Sequence, residues 1–239
     1  MAEVNVNIKD MAVAIGMPIY GAVPAGTAMS LFKTVQAATA AGVRLDYITY
    51  ATSYVHISRN WIADEFLRSS CQKLFFIDQD VTWEPEAFFR MLALSTKYEV
   101  VGGTYPIKKD GPITFYLNAT PGMPCNEHQL FSIDGMGLGF TVIDRAVMER
   151  LAAIAPQRRN PNIPGKSVAA IFRVDDIDGQ DRGEDNAFYA DVKALGIDVW
   201  LDPTVTLGHI GQREWRACLA DGLKKQRKAD ASDENREIH

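Results

Sequence analysis

Apolar and polar residues follow two patterns along the first hundred positions, one typical of strands and one typical of helices. Runs of apolar or strictly alternating residues predict buried strands, because the aromatic and β-branched types dominate them and they are too short for free-standing helices. These predicted strands cover residues 11–18, 44–51, 73–77 and 99–106. Each is followed by a loop rich in Gly, Pro or polar residues. The pattern therefore predicts a sheet whose strands all end in loops able to carry side chains for binding.

Helical spacing fills the gaps between these strands. Thr27 is predicted to cap a helix that buries Leu31, Val35 and Ala38 and ends before Gly42, and Ser58 is predicted to cap a second helix. A third helix begins at Pro85, since Pro is favoured in the first helical turn. Strands that alternate with helices in this way indicate a parallel sheet with crossovers, which places the chain in the α/β class.

The pattern changes from Gly111 onward to short extended pieces separated by Pro and Gly. We expect this more irregular half to form the acceptor side of a site. A helix is predicted to begin at Glu184, and a last core strand ends near His209. After Trp215 the sequence becomes strongly charged, which predicts a short helix and tail. Our expected organisation is one domain over residues 1–215 and a C-terminal tail over residues 216–239.

Two carboxylates, Asp78 and Asp80, stand on either side of Gln79 directly after the strand at residues 73–77. Ligands of open α/β sheets bind beyond the carboxyl ends of the strands, so both side chains are expected at the site. Hard carboxylate oxygens one residue apart suit Mg²⁺ or Mn²⁺ that shares its other positions with substrate phosphates. The pair alone is a weak motif, and the alternative is that the two aspartates only cap a turn.

Other segments carry candidate nucleotide-binding residues. The loop after the first strand, with Pro18 and Tyr20 at its mouth, is a natural place for a nucleotide. Arg59 and Asn60 fall in the predicted first turn of the second helix, where backbone N–H groups and a guanidinium would suit a diphosphate. The alternative for Arg59 is a solvated surface charge.

Glycines alternate in the segment Gly135 to Gly139. The segment lacks the last glycine of a dinucleotide-binding fingerprint and precedes an apolar run, so we reject that interpretation. We expect Gly137 and Gly139 to let the backbone approach a sugar or phosphate closely. Ordinary turn glycines are the alternative.

Composition narrows the class of protein. With 239 residues and 47% hydrophobic residues, the chain can bury a sizeable core. The formal net charge of −5 gives no overall basic field for nucleic acid, although a local patch is compatible with it. Three cysteines without metal spacing indicate a reducing compartment, and no residue run is long and apolar enough to span a membrane. We therefore expect a cytoplasmic protein; its oligomeric state is not predicted.

Taken in order, three features resemble glycosyltransferases of the GT-A fold, family 2-like and of small bacterial or phage type. They are Asp78-Gln79-Asp80, Glu184-Asp185 at a helix start, and His209 after the final strand. The resemblance covers about residues 11–211. It implies that Asp78, Asp80 and His209 hold Mn²⁺ or Mg²⁺ on a nucleotide-diphosphate sugar, with a UDP-sugar the expected donor. It also implies that Asp185, beside Glu184, is the catalytic base toward the acceptor hydroxyl, which predicts inversion at the sugar.

Arg59 and Asn60 match an Arg-Asn pair that such enzymes place near the nucleotide. The acceptor is left open between a glycan, a lipid-linked sugar, a protein and a hydroxylated base in DNA. Five basic residues would favour nucleic acid if they gathered into one rim, but scattered solvated charges are the expected arrangement. These residues are Lys108, Lys109, Arg158, Arg159 and Lys166.

Two alternatives belong to other classes. A nucleotidyltransferase would also use carboxylates at strand ends, but its first loop normally contains Arg and Lys, and residues 19–26 contain neither. A non-catalytic module that binds nucleotide sugars would keep the pocket without needing Asp185 as a base.

Overall fold

The computed structural model describes residues 6–119, 122, 124–159, 165–177 and 179–224. A seven-stranded sheet forms its centre, in the order β2-β1-β3-β9-β5-β14-β7. The strands of this sheet are β1 (Ala12–Ile19), β2 (Arg44–Ala51), β3 (Lys73–Ile77), β5 (Val100–Gly102), β7 (Phe131–Ile133), β9 (Phe140–Asp144) and β14 (Val199–Leu201).

Five helices cover the two faces of the sheet. They are α1 (Ala25–Ala41), α2 (Val55–Arg68), α3 (Pro85–Leu94), α4 (Arg145–Ile154) and α5 (Glu184–Ala194). α1 and α3 pack on one face, while α2, α4 and α5 pack on the other. Each face has its own buried apolar cluster, one around Phe75 and Phe88 and the other around Phe76 and Phe188. Every residue of β3 is buried, as expected of a central strand covered on both faces.

The remaining strands form small sheets and hairpins outside the central sheet. Their strands are β4 (Val81–Thr82), β6 (Leu117–Asn118), β8 (Gly135–Met136), β10 (Gln157–Arg159), β11 (Ser167–Ala169), β12 (Asp175–Ile177), β13 (Gln180–Arg182), β15 (Thr206–Ile210) and β16 (Glu214–Cys218). β15 pairs with both β4 and β16, so it carries His209 back to the loop that follows β3.

The α/β class expected from the sequence is confirmed, and the predicted strands β1, β2, β3 and β5 run in the same direction. The sheet also contains an antiparallel strand, β9, that was not predicted. β1 pairs in parallel with β2 and with β3. β9 then lies between β3 and β5 and runs antiparallel to both. Its apolar sequence from Phe140 to Ile143 fits a strand buried on both faces in either direction, so composition could not reveal the reversal.

Two helix starts differ from expectation. α1 begins at Ala25 after Pro24, and Thr27 is a buried residue within the helix; Val35, expected in the core, is 43% exposed. α2 begins at Val55, so Ser58 is no cap and its hydroxyl donates instead to the Tyr50 carbonyl oxygen. Arg59 and Asn60 therefore lie in the second turn of α2, facing the protein interior.

The C-terminal segment continues the fold beyond the expected boundary. β16 spans residues 214–218 and so crosses the division placed after residue 215, and residues 219–224 are helical. The rest of the expected tail, residues 225–239, lies outside the described residues. No helix in the described part of the chain combines the length and apolarity needed to cross a membrane.

Candidate active site

Side chains from α2, β3 and α5 meet at the edge where the parallel strands end. Asp78 leaves β3 with its backbone N–H held by the Gly139 carbonyl oxygen at 3.0 Å. Glu184 and Asp185 form the first turn of α5, and Arg59 reaches them from α2. We call Arg59, Asp78, Tyr105, Glu184 and Asp185 the inner cluster. Four of its five members were expected at the site, and the topology brings them together.

Arg59 is the centre of the inner cluster and is only 1% exposed. Its Nη2 atom lies 3.0 Å from Asp78 Oδ1 and 3.6 Å from Asp185 Oδ1, and its Nε atom lies 3.8 Å from Glu184 Oε1. The alternative of a solvated surface charge is therefore wrong. A guanidinium is costly to bury unless carboxylates surround it, which explains why all three acids converge here. They hold the pKa of Arg59 above its usual range despite burial.

Three carboxyl groups share one guanidinium, so the inner cluster carries an excess of negative charge. Burial raises the pKa of Asp185 to about 7; Arg59 opposes this shift, while Glu184 and Asp78 reinforce it. Asp185 Oδ1 is buried and accepts no hydrogen bond. A carboxyl group in this setting exchanges its proton near neutral pH, which is the property required of a general base.

Tyr105, which follows β5, was not predicted from the sequence. Its hydroxyl donates to Asp78 Oδ2 at 3.1 Å and accepts from the Gly139 N–H at 3.3 Å. Burial and the nearby carboxylates raise the pKa of Tyr105 well above its usual range, so it remains a donor. Both oxygens of Asp78 are thus occupied by protein groups, Oδ1 by Arg59 and Oδ2 by Tyr105.

The alternating glycines pack against these same side chains. A Cβ on Gly137 would lie 2.5 Å from the Tyr105 hydroxyl oxygen, and one on Gly139 would collide with the Asp78 carboxylate. Neither glycine has positive φ. Their small size is needed for the close approach of the segment before β9 to Asp78 and Tyr105. In the described structure they contact protein groups where we expected a sugar or phosphate.

Asp80 points to a second group of side chains, which we call the outer cluster: Asp80, Lys108 and His209. Lys108 forms an ion pair with Asp80 Oδ2, and His209 Nε2 lies 3.6 Å from Asp80 Oδ1. Burial would raise the pKa of Asp80, but hydrogen bonds and charge from His209 and Lys108 outweigh it and lower the pKa to about 2. Asp80 is therefore ionised at any physiological pH.

His209 is oriented by a backbone contact. Its Nδ1 atom donates to the Pro106 carbonyl oxygen at 2.8 Å, which leaves Nε2 facing Asp80. Histidines that bind metals usually donate such a hydrogen bond from the ring nitrogen that does not face the metal. Asp80 and His209 thus form a two-donor set that suits a divalent ion completed by phosphate oxygens and water.

No set of three His, Cys, Asp or Glu side chains within the described ranges is arranged to hold a metal ion by itself. Asp78, expected as a third ligand, directs its oxygens to Arg59 and Tyr105 instead. The fit to a metal therefore rests on Asp80 and His209, with Lys108 as the present partner of Asp80.

A cavity of about 270 Å³ opens beside the two clusters. Pro18, Tyr20 and Gln79 line it together with Asp78 and Asp80. Gln79 Oε1 accepts a hydrogen bond from the Tyr20 N–H at 2.9 Å, which ties the loop after β1 to the loop after β3. The loops after β1 and β3 therefore share one cleft.

Asn60 was also expected beside the nucleotide, but it does not line this cavity. Its buried amide donates to the Phe172 carbonyl oxygen at 2.7 Å and accepts from the Phe172 N–H at 2.8 Å. Asn60 therefore fixes the segment around Phe172 against α2 and also lines a second cavity described below.

No protein-family model and no curated protein matches the chain by sequence. Solved structures do match its fold. The A197 protein from STIV is 19% identical with a TM-score of 0.51, and the match covers 84% of this chain and 86% of that one. GalNAc-T7, solved with UDP, GalNAc and Mn²⁺, is 10% identical with a TM-score of 0.53. That match covers 85% of this chain but 44% of GalNAc-T7. These likenesses establish the α/β fold with a central mixed sheet, as expected of the GT-A class.

Proposed function

We propose that this protein is a glycosyltransferase that moves a sugar from a nucleotide-diphosphate sugar to an acceptor hydroxyl. One observation carries the proposal: a strand-end cavity is lined by Asp78 and Asp80, which join it to the inner and outer clusters. Asp78 shares Arg59 with Asp185, a half-buried carboxyl group with a pKa of about 7, and Asp80 faces His209. The fold it shares with GalNAc-T7, a protein solved with UDP and Mn²⁺, supports a UDP-sugar as donor.

In this proposal the loops after β1 and β3 bind the nucleotide. Pro18 and Tyr20 form one wall of the cavity and Gln79 joins the walls. Asp80 and His209 would hold Mn²⁺ or Mg²⁺, which when bound would supply positive charge to the diphosphate leaving group. Lys108 pairs with Asp80 and so would compete with the metal ion for that carboxylate.

Asp185 acts as the base. Its ionised form accepts the proton of the acceptor hydroxyl as the oxygen attacks the anomeric carbon, and the bond from that carbon to the diphosphate breaks. Glu184 and Asp78 disfavour the ionised form of Asp185 and Arg59 favours it, so the inner cluster sets the pKa near neutrality. A base on the face opposite the leaving group gives inversion. Asp78 positions Arg59 and Tyr105 and is assigned no metal-binding role.

The test is a thermal-shift titration with UDP, GDP and UDP-glucose, each with and without Mn²⁺. We expect Mn²⁺-dependent stabilisation by a uridine ligand that Asp80→Asn abolishes and His209→Ala weakens, since a bound ligand stabilises according to its concentration relative to Kd. Asp221→Asn, at an exposed acid, is the matched control.

Activity is measured as UDP released from UDP-glucose with water as the acceptor. Donor binding without any release, even with added acceptors, would favour the alternative of a non-catalytic binding module. Absence of any Mn²⁺-dependent nucleotide binding would overturn the proposal.

A further inference from the structure

A second and larger cavity, of about 630 Å³, lies on the other side of the start of α2. The end of β2 and the first turns of α2 form one wall, and residues 168–174 with the end of β10 form the other. Its volume falls within the range of ordinary ligand sites. We call it the arginine cavity, because Arg158, Arg159 and Arg173 line it and none of its other described lining residues is Asp or Glu.

The positive charge of this cavity is only partly neutralised. Arg173 is held by Asp175, at 2.8 Å from Nε, and by Asp191. Arg158 and Arg159 are exposed, and neither has an ion-pair partner among the residues that the structure describes. Two exposed guanidinium groups without an ion-pair partner among the described residues are notable in a chain whose formal net charge is −5. They indicate an anionic ligand, and guanidinium groups suit phosphate oxygens in particular.

Aromatic rings form the wall opposite these arginines. Tyr50 stacks on Trp61 with ring centroids 5.5 Å apart, and Lys166 lies over the Trp61 ring at 4.5 Å. Tyr54 is 63% exposed, with its ring next to that of His56. Rings for stacking beside cations for phosphates are the combination by which proteins bind single-stranded nucleic acid. A lipid phosphate would use the cations but leave the exposed ring without a stacking partner.

The arginine cavity is joined to the candidate active site by structure. Thr52 lines both cavities. On the far wall, Phe172 stacks on Phe188 and Arg173 pairs with Asp191, and both partners belong to α5, whose first turn holds Asp185. Asp185 itself does not line the arginine cavity. A ligand seated there would therefore contact segments that pack on α5 without contacting Asp185.

We propose that the arginine cavity binds the flanking nucleotides of a single-stranded nucleic-acid acceptor, with Arg158 and Arg159 on its phosphates and Tyr54 stacked on a base. The role of the bound strand as acceptor rests on the proposed glycosyltransferase function. Of the five basic residues considered from the sequence, Arg158 and Arg159 line this cavity, while Lys166 lies over the Trp61 ring and pairs with Asp64 at 3.6 Å. Lys108 instead pairs with Asp80, and Lys109 accepts a hydrogen bond from Trp215 through its carbonyl oxygen.

The experiment measures fluorescence anisotropy of a labelled single strand of about 12 nucleotides, a length within the usual site size, at several salt concentrations. We expect the double variant Arg158→Gln, Arg159→Gln to bind more weakly. The slope of log K against log salt should fall by about 1.4, because each phosphate contact contributes about 0.7 for single strands. Tyr54→Ala should weaken binding roughly tenfold with an unchanged slope, since a stacking contact releases no counterions.

The matched control is Arg44→Gln, Arg68→Gln, which removes the same charge at the opposite ends of β2 and α2. Unchanged binding in that control, together with the losses above, supports the proposal. Three results would overturn it: no binding of the strand, equal losses in control and cavity variants, or equally tight binding of heparin or vesicles with anionic lipid through the same arginines.

Failure of this inference can be told apart from failure of the proposed function. UDP stabilisation in the presence of Mn²⁺ depends on Asp80 and not on Arg158, so it should be unchanged in the cavity variants. Strand binding without any nucleotide binding would keep the arginine cavity as a nucleic-acid site and remove the transferase.

Discussion

Replacing Asp185 with Asn separates its chemical role from a structural one. Asn keeps the shape of the side chain but can neither ionise nor accept a proton. α5 has Gly183 at its N-cap and no capping hydrogen bond from a side chain, so the substitution removes no cap. The rival explanation that Asp185 serves only as a helix cap therefore has no support in the described contacts. Turnover should fall by roughly 10²-fold or more, the scale of general-base catalysis.

The same substitution has a predictable effect on stability. The pKa of Asp185 rises from 3.8 to about 7 on folding. The folded protein thus holds this proton more tightly than the unfolded chain, so stability is lost as pH rises from about 4 through 7. A shift of this size corresponds to about 4 kcal/mol. The Asp185→Asn variant lacks this titration. Its free energy of unfolding, relative to that of the parent protein, should therefore increase by about that amount between pH 4 and pH 8.

The assay is thermal unfolding of both proteins across this pH range, with Asp221→Asn as an exposed control. For a chain of this size the Tm difference should widen by roughly 10 °C in favour of Asp185→Asn at the alkaline end. Turnover of the parent protein should rise with pH and level off above about 7. A constant Tm difference would refute the raised pKa of the half-buried Asp185 carboxyl group. Near-parental turnover by Asp185→Asn would refute the base and with it the inverting mechanism.

Three further changes test the clusters around Asp185. Lys108→Met should tighten Mn²⁺ binding roughly fivefold in titration calorimetry, because it removes the cation that now pairs with Asp80. The control, Lys109→Met, should leave Mn²⁺ binding unchanged. Weaker Mn²⁺ binding by Lys108→Met would contradict this prediction. Gly139→Ala should lower the free energy of unfolding in urea by about 1–3 kcal/mol, since the added Cβ collides with Asp78. Gly222→Ala, at a position with open space around it, serves as control. Arg59→Leu should lower the free energy of unfolding by about 3–5 kcal/mol, because the three acids lose their counter-charge. The loss of stability should be larger at pH 8 than at pH 5, and equal losses at both pH values would argue against that cause.

Local patterns were sufficient to predict several elements correctly. Alternation over residues 44–51 matched β2 at both ends, and Pro85 marked the first residue of α3. These features depend on near neighbours in the chain, so short-range rules capture them. The convergence of Asp78, Asp80 and His209 on one edge followed from the order of the strands and from the resemblance to a known fold.

Long-range contacts account for what the sequence could not reveal. The role of Arg59 depends on α2 starting at Val55 and on α5 arriving beside it, and neither is a local property. Tyr105 carried no motif, although its position near the carboxyl end of the strand predicted over residues 99–106 was a usable signal. The glycines before β9 suggested close approach to a ligand, yet the close partners are Asp78 and Tyr105.

The reversed strand β9 has a consequence for synthesis of the chain on the ribosome. β3 and β5 are neighbours of β9 on its two sides, so neither has a complete set of backbone partners until residue 144 has emerged. Before that point β5 has no strand to pair with, since its other neighbour, β14, is made later still. The first half of the protein therefore cannot mature as an independent nucleotide-binding unit, and we expect a chain cut after Gly135 to be captured by chaperones or degraded.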